Sequence, residues 1–292
     1  MNTRNILITG ANGQLGHEMR NVIETNPNLN GIYTDVEELD ITSLEAINSF
    51  LDAQPADVIV NCAAFTAVDR AEQDTDLCHK LNVEAVENLA RAAKAHGAKL
   101  IHISTDYVFD GTAHLPYRED CPTCPASVYG STKLEGEKRL QAVLPTDSII
   151  VRTAWLYSPY GKNFVKTMMQ LGRTRPQLNV VCDQVGTPTY ALDLARAIVA
   201  IINAPEWQPG IYHFSNEGAI SWYDFTKAIH RIAGITGCDV QPCSTEQYPT
   251  PARRPHYSVL DKSLIKRTFG LKIPYWEESL AHCIERLENN ND

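Results

Sequence analysis

Asn5-Ile6-Leu7-Ile8-Thr9-Gly10-Ala11-Asn12-Gly13-Gln14-Leu15-Gly16 places a short apolar run directly before three glycines spaced GxxGxxG. A run of that length suits a strand buried on both faces of a parallel sheet, and Gln14–Glu24 has the spacing of a helix. Glycine between the two lets the backbone turn tightly. It also lets N–H groups and the positive end of the helix approach a pyrophosphate without a side chain intervening. The stretch therefore predicts a dinucleotide site built from Gly10, Asn12, Gly13, Gln14, Leu15 and Gly16.

Further strands are expected at Gly31–Thr34, Val58–Asn61, Leu100–Ser104 and Ser148–Val151. Helices are expected at Ser43–Ala53, at Leu77–His96 ending on Gly97, and at Val128–Val143. This alternation implies an α/β fold, a doubly wound Rossmann parallel sheet over residues 1–153. After Thr153 proline- and aromatic-bearing loops separate isolated helices at Phe164–Leu171, Ser221–Ala233 and Trp276–Leu287. They predict a smaller C-terminal α/β substrate lobe over residues 154–292. The apolar Leu192–Ile202 is expected to return to the sheet, within a segment near 181–203.

With 43% hydrophobic and 21% charged residues among 292, the chain has an ordinary globular composition. A net charge of -9 and a pI near 5.5 argue against nucleic acid or an anionic membrane as partner. The first apolar run is too short for a signal segment or a spanning helix, so a cytoplasmic setting is expected. Eight scattered cysteines fit reduced thiols there. Cys121 and Cys124 form a CxxC, but no second ligand pair stands at zinc-site spacing and prolines punctuate the loop, so no metal is assigned to them.

Asp35 follows the second strand, where a carboxylate accepts from ribose hydroxyls and repels a 2′-phosphate. Asp40 is placed to meet the adenine amino group. Ala63 and Ala64, after the third strand, leave room for a cofactor ribose. Thr105 ends the fourth strand, and Tyr129 and Lys133 share one face of the next helix at i,i+4. Ketone reduction needs a proton donor beside the hydride source. A lysine ammonium is expected to lower the tyrosine pKa while Lys133 also binds the nicotinamide ribose, so that Tyr129 and Lys133 count as cofactor-binding too, and Thr105 orients the carbonyl. Tyr223 and Lys227 repeat the YxxxK spacing, but no Ser-Thr pair on a strand precedes them, so they are read as parts of an amphipathic helix.

Taken together, Gly10–Gly16, Ser104–Gly111 (STDYVFDG) and Tyr129–Glu137 (YGSTKLEGE) resemble the extended short-chain dehydrogenases. Asn163–Met168, Asp183–Thr189 (DQVGTPT), Gly210–His213 and Tyr248–Pro255 (YPTPARRP) narrow the resemblance to the dTDP-4-dehydrorhamnose reductase family, over nearly the whole chain. The resemblance implies reduction of the C4 ketone of dTDP-4-dehydro-β-L-rhamnose with NADPH or NADH. Thr105, Tyr129 and Lys133 would be catalytic. Thr105, Asp106, Tyr107, Trp155, Asn163 and Arg254 would contact substrate, with Trp155 as an apolar wall and Arg254 as a phosphate partner. Some members are Mg²⁺-bridged homodimers; Glu18 matches one bridging position, where helix-dipole stabilisation explains a glutamate equally well, so Mg²⁺ stays unassigned. Two other readings stand: a sugar-nucleotide epimerase, and a non-enzymatic dinucleotide-binding regulatory subunit like the methionine adenosyltransferase β subunit. Tyr107 after Asp106, where dehydratases carry glutamate, disfavours dehydration. The intact Thr105, Tyr129 and Lys133 set disfavours the regulatory reading.

Overall fold

A computed structural model of the chain describes residues 3–289. Its first half alternates β1 (Arg4–Thr9), α1 (Gln14–Glu24), β2 (Leu29–Thr34), α2 (Leu44–Ala53) and β3 (Val58–Asn61). It continues through α3 (Val68–Ala71), α4 (Thr75–His79), a π-helical turn over Lys80–Glu84, α5 (Ala85–His96), β4 (Lys99–Thr105), α6 (Val128–Val143) and β5 (Ser148–Thr153). The second half holds β6 (Leu156–Tyr157), α7 (Phe164–Thr174), β7 (Gln177–Val181), β8 (Val185–Gly186), β9 (Thr189–Tyr190), α8 (Ala191–Ile202) and β10 (Gly210–His213). It ends with β11 (Ile220–Ser221), α9 (Trp222–Ile232), β12 (Asp239–Cys243), α10 (Ser263–Phe269) and α11 (Trp276–Asn289).

Six parallel strands form the central sheet in the order β10-β5-β4-β3-β1-β2. The alternation of side chains along β1 shows why both faces must be covered. Ile6 and Ile8 point into one core with Leu15, Met19 and Ile23 of α1 and Leu194 and Ile198 of α8. Leu7 points into the opposite core with Ile47 of α2, Leu89 of α5 and Leu140 of α6. Each such aliphatic side chain, once fully buried, stabilises the fold by about 1.5–3 kcal/mol. The sixth strand, β10, comes from a stretch that the sequence analysis assigned to the smaller lobe. Its short apolar run does not reveal from sequence alone which sheet edge it will join.

A third core joins Val165 and Met168 of α7, Phe225 and Ile229 of α9, and Leu280 and Ile284 of α11. The second half carries more strand than expected: β7 pairs parallel with β12, β8 antiparallel with β11, and β6 parallel with β9. Two of these pairs are only two residues long, too short for a periodic signal.

The expected single helix Leu77–His96 begins at Thr75 and is interrupted by the π turn. Asn82 accounts for the interruption: it accepts from the Phe65 N–H at 2.9 Å and donates to the Phe65 carbonyl at 3.2 Å and Thr132 Oγ1 at 3.2 Å. An inserted residue lets one buried amide fasten the loop after β3 to α6, in keeping with the habit of π turns near functional sites. Gly136 of α6 makes the packing possible, since a Cβ there would stand 2.1 Å from the Asn82 carbonyl oxygen. Gly136→Ala is expected to lower stability by about 1–3 kcal/mol through overpacking. Urea unfolding checks this, and a change below about 0.5 kcal/mol would refute the close approach.

Candidate active site

Among the described residues a cavity of about 770 Å³ opens along the C-terminal ends of the sheet strands, the place where doubly wound sheets bind ligands. One end is the glycine turn. Gly10 has a positive φ of 65° and a Cβ there would fall 2.7 Å from Ala63 N, while a Cβ on Gly16 would fall 2.4 Å from the Gly10 carbonyl oxygen. Only glycine fits both positions, and the result is a bare backbone cradle at the start of α1. Gly10, Gly13, Gln14, Leu15 and Gly16 line the cavity, as do Asp35, Asp40, Ala63 and Ala64. Such a cradle with small residues beyond it fits a dinucleotide. Asn12 does not line it; its N–H donates to Asp35 Oδ2 at 3.0 Å and thereby fixes that carboxylate. Asp40 accepts from the Thr42 hydroxyl and N–H, which hold its pKa below the ordinary range.

At the other end Thr105, Asp106, Tyr107, Tyr129, Lys133, Trp155 and Asn163 line the same cavity. Ser127 caps α6 by accepting from the Gly130 N–H, so Tyr129 sits in the first turn, where β4 delivers Thr105. Tyr129, Thr105 and Lys133 are all buried, Lys133 only 1% exposed. Thr105 hydrogen-bonds the Tyr129 hydroxyl and donates to Asp106 Oδ1 at 3.1 Å. The expected lowering of the tyrosine pKa does not occur. Burial pushes the Tyr129 phenol above its ordinary value, and the Thr105 hydrogen bond only partly opposes it. Lys133 is the group that burial pulls down, to about 8, with Glu137 and Cys78 opposing. Desolvation penalises phenolate and ammonium alike. The phenol consequently keeps its proton, the form a ketone reductase needs at rest.

Asp106 is 2% exposed and its Oδ2 has no hydrogen-bond partner among the described residues. Burial pushes its pKa up to about 6, against hydrogen bonds from Ser258 and Thr105. A carboxyl whose folded pKa exceeds its unfolded value favours the fold most below about pH 4, and that contribution is lost as pH rises through about 6. Asp106→Asn is therefore expected to stabilise the protein by about 1–3 kcal/mol at pH 7.5 and by almost nothing at pH 4. Thermal unfolding at the two pH values measures it. An equal effect at both would show that the carboxylate is not strained by burial.

Trp155 has a φ of 49° and stacks on Trp222, centroids 3.5 Å apart. Its left-handed backbone is a costly conformation for a bulky residue, held by packing at the cavity wall. Trp222 and Lys162 also line the cavity and were missed from sequence; the aromatic pair Trp222-Tyr223 at the start of α9 is the signal that was available for the first. Asn163 reaches the wall, but its amide caps α7 and donates to Gln14 Oε1 and the Ser158 carbonyl. Arg254 lies outside the lining: its guanidinium holds both carboxylate oxygens of Asp69 at 2.7 and 2.9 Å. Tyr223 and Lys227 sit on α9, with Tyr223 at the margin of the third core and Lys227 exposed.

Glu18 is fully buried and its oxygens accept from Arg286 and Asn21, and among the described residues of this single chain no group of three or more His, Cys, Asp or Glu side chains is arranged to hold a metal ion. No described helix is long and apolar enough to cross a membrane.

The family model of the RmlD substrate binding domain matches residues 4–289. The dTDP-4-dehydrorhamnose reductase of Aggregatibacter actinomycetemcomitans is 41% identical, over 95% of this chain and 97% of that protein. Among solved structures, a dTDP-4-dehydrorhamnose reductase from Clostridium acetobutylicum is 48% identical with a TM-score of 0.93, covering 97% of this chain and 99% of that one. The Bacillus anthracis reductase, solved in complex with NADP, is 38% identical, again with a TM-score of 0.93 and the same coverage of both chains.

Proposed function

The chain belongs to the RmlD substrate binding domain family, that of the dTDP-4-dehydrorhamnose reductases, and from that premise we propose that it reduces the C4 ketone of dTDP-4-dehydro-β-L-rhamnose to dTDP-β-L-rhamnose with Tyr129 as proton donor. One observation carries the reading: Thr105, Tyr129 and Lys133 are buried together in the cavity whose far end is the glycine cradle.

When bound, the nicotinamide supplies the hydride. Gly10, Gly13, Gln14, Leu15 and Gly16 hold the pyrophosphate through backbone donors at the start of α1. Asp35 and Asp40 meet the adenosine end, and Ala63 and Ala64 leave space for the ribose. NADH and NADPH both serve, the Asp35 carboxylate weighting the choice toward NADH. Thr105 and Tyr129 hydrogen-bond the ketone oxygen, and Tyr129 gives that oxygen its proton as charge develops. Lys133 stands beside this exchange as the group that tunes it. Asp106, with an unpaired carboxylate oxygen, accepts from a sugar hydroxyl, and Tyr107 packs edge-on to Tyr129 at 5.5 Å, limiting water there. Trp155 gives the sugar an apolar face.

The smaller lobe, residues 154–292 less the strand and helix it lends to the sheet, presents the sugar nucleotide. Arg254 takes a phosphate by exchanging Asp69 for it. Eight free cysteines suit the reducing cytoplasm. The test is stoichiometric oxidation of NAD(P)H by dTDP-4-dehydrorhamnose, with dTDP-4-dehydro-6-deoxyglucose as control. Rapid turnover of the first and slow turnover of the second is expected. Cofactor binding without oxidation by either would overturn the reading.

A further inference from the structure

The cavity is poor in cations for a ligand that carries phosphates. The carboxyls of its lining are Asp35, Asp40 and Asp106, and its only ammonium groups are Lys133 and Lys162. Lys133 is buried at the catalytic end, where its Nζ donates to the Ile103 carbonyl at 2.6 Å. Arg254 stands outside the lining with both carboxylate oxygens of Asp69 on its guanidinium. A diphosphate entering a protein of net charge -9 thus has backbone donors and little fixed positive charge to meet. Lys162 is the cation left over. It is exposed, and among the described residues its ammonium makes no hydrogen bond or ion pair.

The loop that carries Lys162 is what fixes it near the glycine cradle. Residues 158–163 come from the smaller lobe and lie along the first two turns of α1. Gln14, His17 and Asn21 of that helix are spaced i, i+3 and i+7, which puts them on one face, and each of them holds the loop. Gln14 Oε1 accepts from Asn163 Nδ2 at 2.9 Å and from Ser158 Oγ at 3.4 Å. The His17 ring stacks on Tyr160 with centroids 4.5 Å apart, and Asn21 Nδ2 donates to the Tyr160 hydroxyl at 3.1 Å. Gly161 comes so near that a Cβ on it would stand 3.2 Å from Gln14 Cγ. Gly161 and Asn163 therefore both approach the first residue of α1. Lys162, between them, lines the cavity with Gly13 and Gln14.

We propose that Lys162 binds the pyrophosphate of the dinucleotide, its ammonium reaching from the smaller lobe to the anion that the N–H groups of α1 hold from the other side. The start of a helix supplies only about half a positive charge, whereas each phosphate of the ligand carries a full negative one. A lysine answers the remainder. Its compact charge on a flexible stem, with three donors, can serve either phosphate without a fixed geometry. Asn163 is a positioning residue in this arrangement, because its amide ties the lysine's loop to Gln14 and to the Ser158 carbonyl. The bound dinucleotide is then gripped by both lobes, by α1 of the first and by the 158–163 loop of the second. This role rests on the dinucleotide reading of the cavity.

Binding, measured without turnover, tests it. Lys162→Gln removes the charge and keeps most of the stem. The Kd for NADH, read by its fluorescence, is expected to rise about tenfold in the variant. ADP, which keeps a diphosphate, should lose a similar factor when it competes with NADH, while adenosine, which has none, should bind both proteins alike. The salt dependence of NADH binding should become shallower. Lys162→Arg keeps the charge and should keep most of the affinity, and the affinity for dTDP should not change. NADH and ADP binding untouched by Lys162→Gln would overturn the proposal. So would an equal loss for adenosine, since the substitution would then act through the shape of the site. A loss confined to dTDP would overturn it too, by placing the lysine on the sugar nucleotide. Failure of the unaltered protein to bind NADH is a separate result, and it would remove the dinucleotide reading itself.

Discussion

Tyr129→Phe is expected to cut turnover by about 10²- to 10⁴-fold while leaving dinucleotide affinity nearly unchanged. The substitution removes one hydroxyl and keeps the ring that packs with Phe65, Ala71 and Cys78. Burial of that hydroxyl raises its pKa, so the fold gains nothing from ionising it and loses little when it is gone. What disappears is the proton that Tyr129 is proposed to give the ketone oxygen. Steady-state kinetics with cofactor titration by fluorescence separates the two effects. Tyr223→Phe, the same change in the repeated YxxxK, is the control and should turn over normally. Equal loss from both variants would mean that the wrong pair has been assigned.

The second large effect is structural. Glu137 and Arg152 are 1% and 2% exposed and joined by three N···O contacts between 2.6 and 3.2 Å, with Ser104 donating to the same carboxylate. This pair ties α6 to β5 directly beneath Lys133. Glu137→Ala would leave the Arg152 guanidinium buried and uncompensated, and the expected cost is about 3–5 kcal/mol. For a chain of this size that is a fall in Tm of about 10 °C. Removing both charges with Glu137→Leu and Arg152→Met together should be markedly less damaging than Glu137→Ala alone, because no charge is then stranded. Thermal unfolding of the single and double variants decides. A double variant worse than the single would show that the pair itself, not the avoidance of an orphan charge, stabilises this region.

Much of the architecture was legible because its signals are local. The strand at Val58–Asn61 and the helices at Gln14–Glu24 and Val128–Val143 have the bounds that periodicity and capping indicate. The members that escaped depend on contacts distant in sequence. No local pattern announces that Asn82 will bind Phe65 and force a π turn, or that Gly210–His213 will add a sixth strand beside β5. The site divides in the same way. Glycine spacing and the i,i+4 pair put Gly10–Gly16, Tyr129 and Lys133 in view. The sign of the tyrosine pKa shift was misjudged because charge proximity can be inferred from spacing, whereas desolvation depends on everything packed around the group.

The most direct test of the account follows one atom. With NAD(P)H deuterated at the transferring position of the nicotinamide, the enzyme and dTDP-4-dehydrorhamnose should yield dTDP-rhamnose carrying deuterium at C4 of the sugar, seen by NMR as loss of the C4 proton signal. Product without deuterium at C4, or a substrate that only exchanges protons next to its ketone while the nicotinamide stays reduced, would contradict the assignment of this chain as a ketosugar reductase.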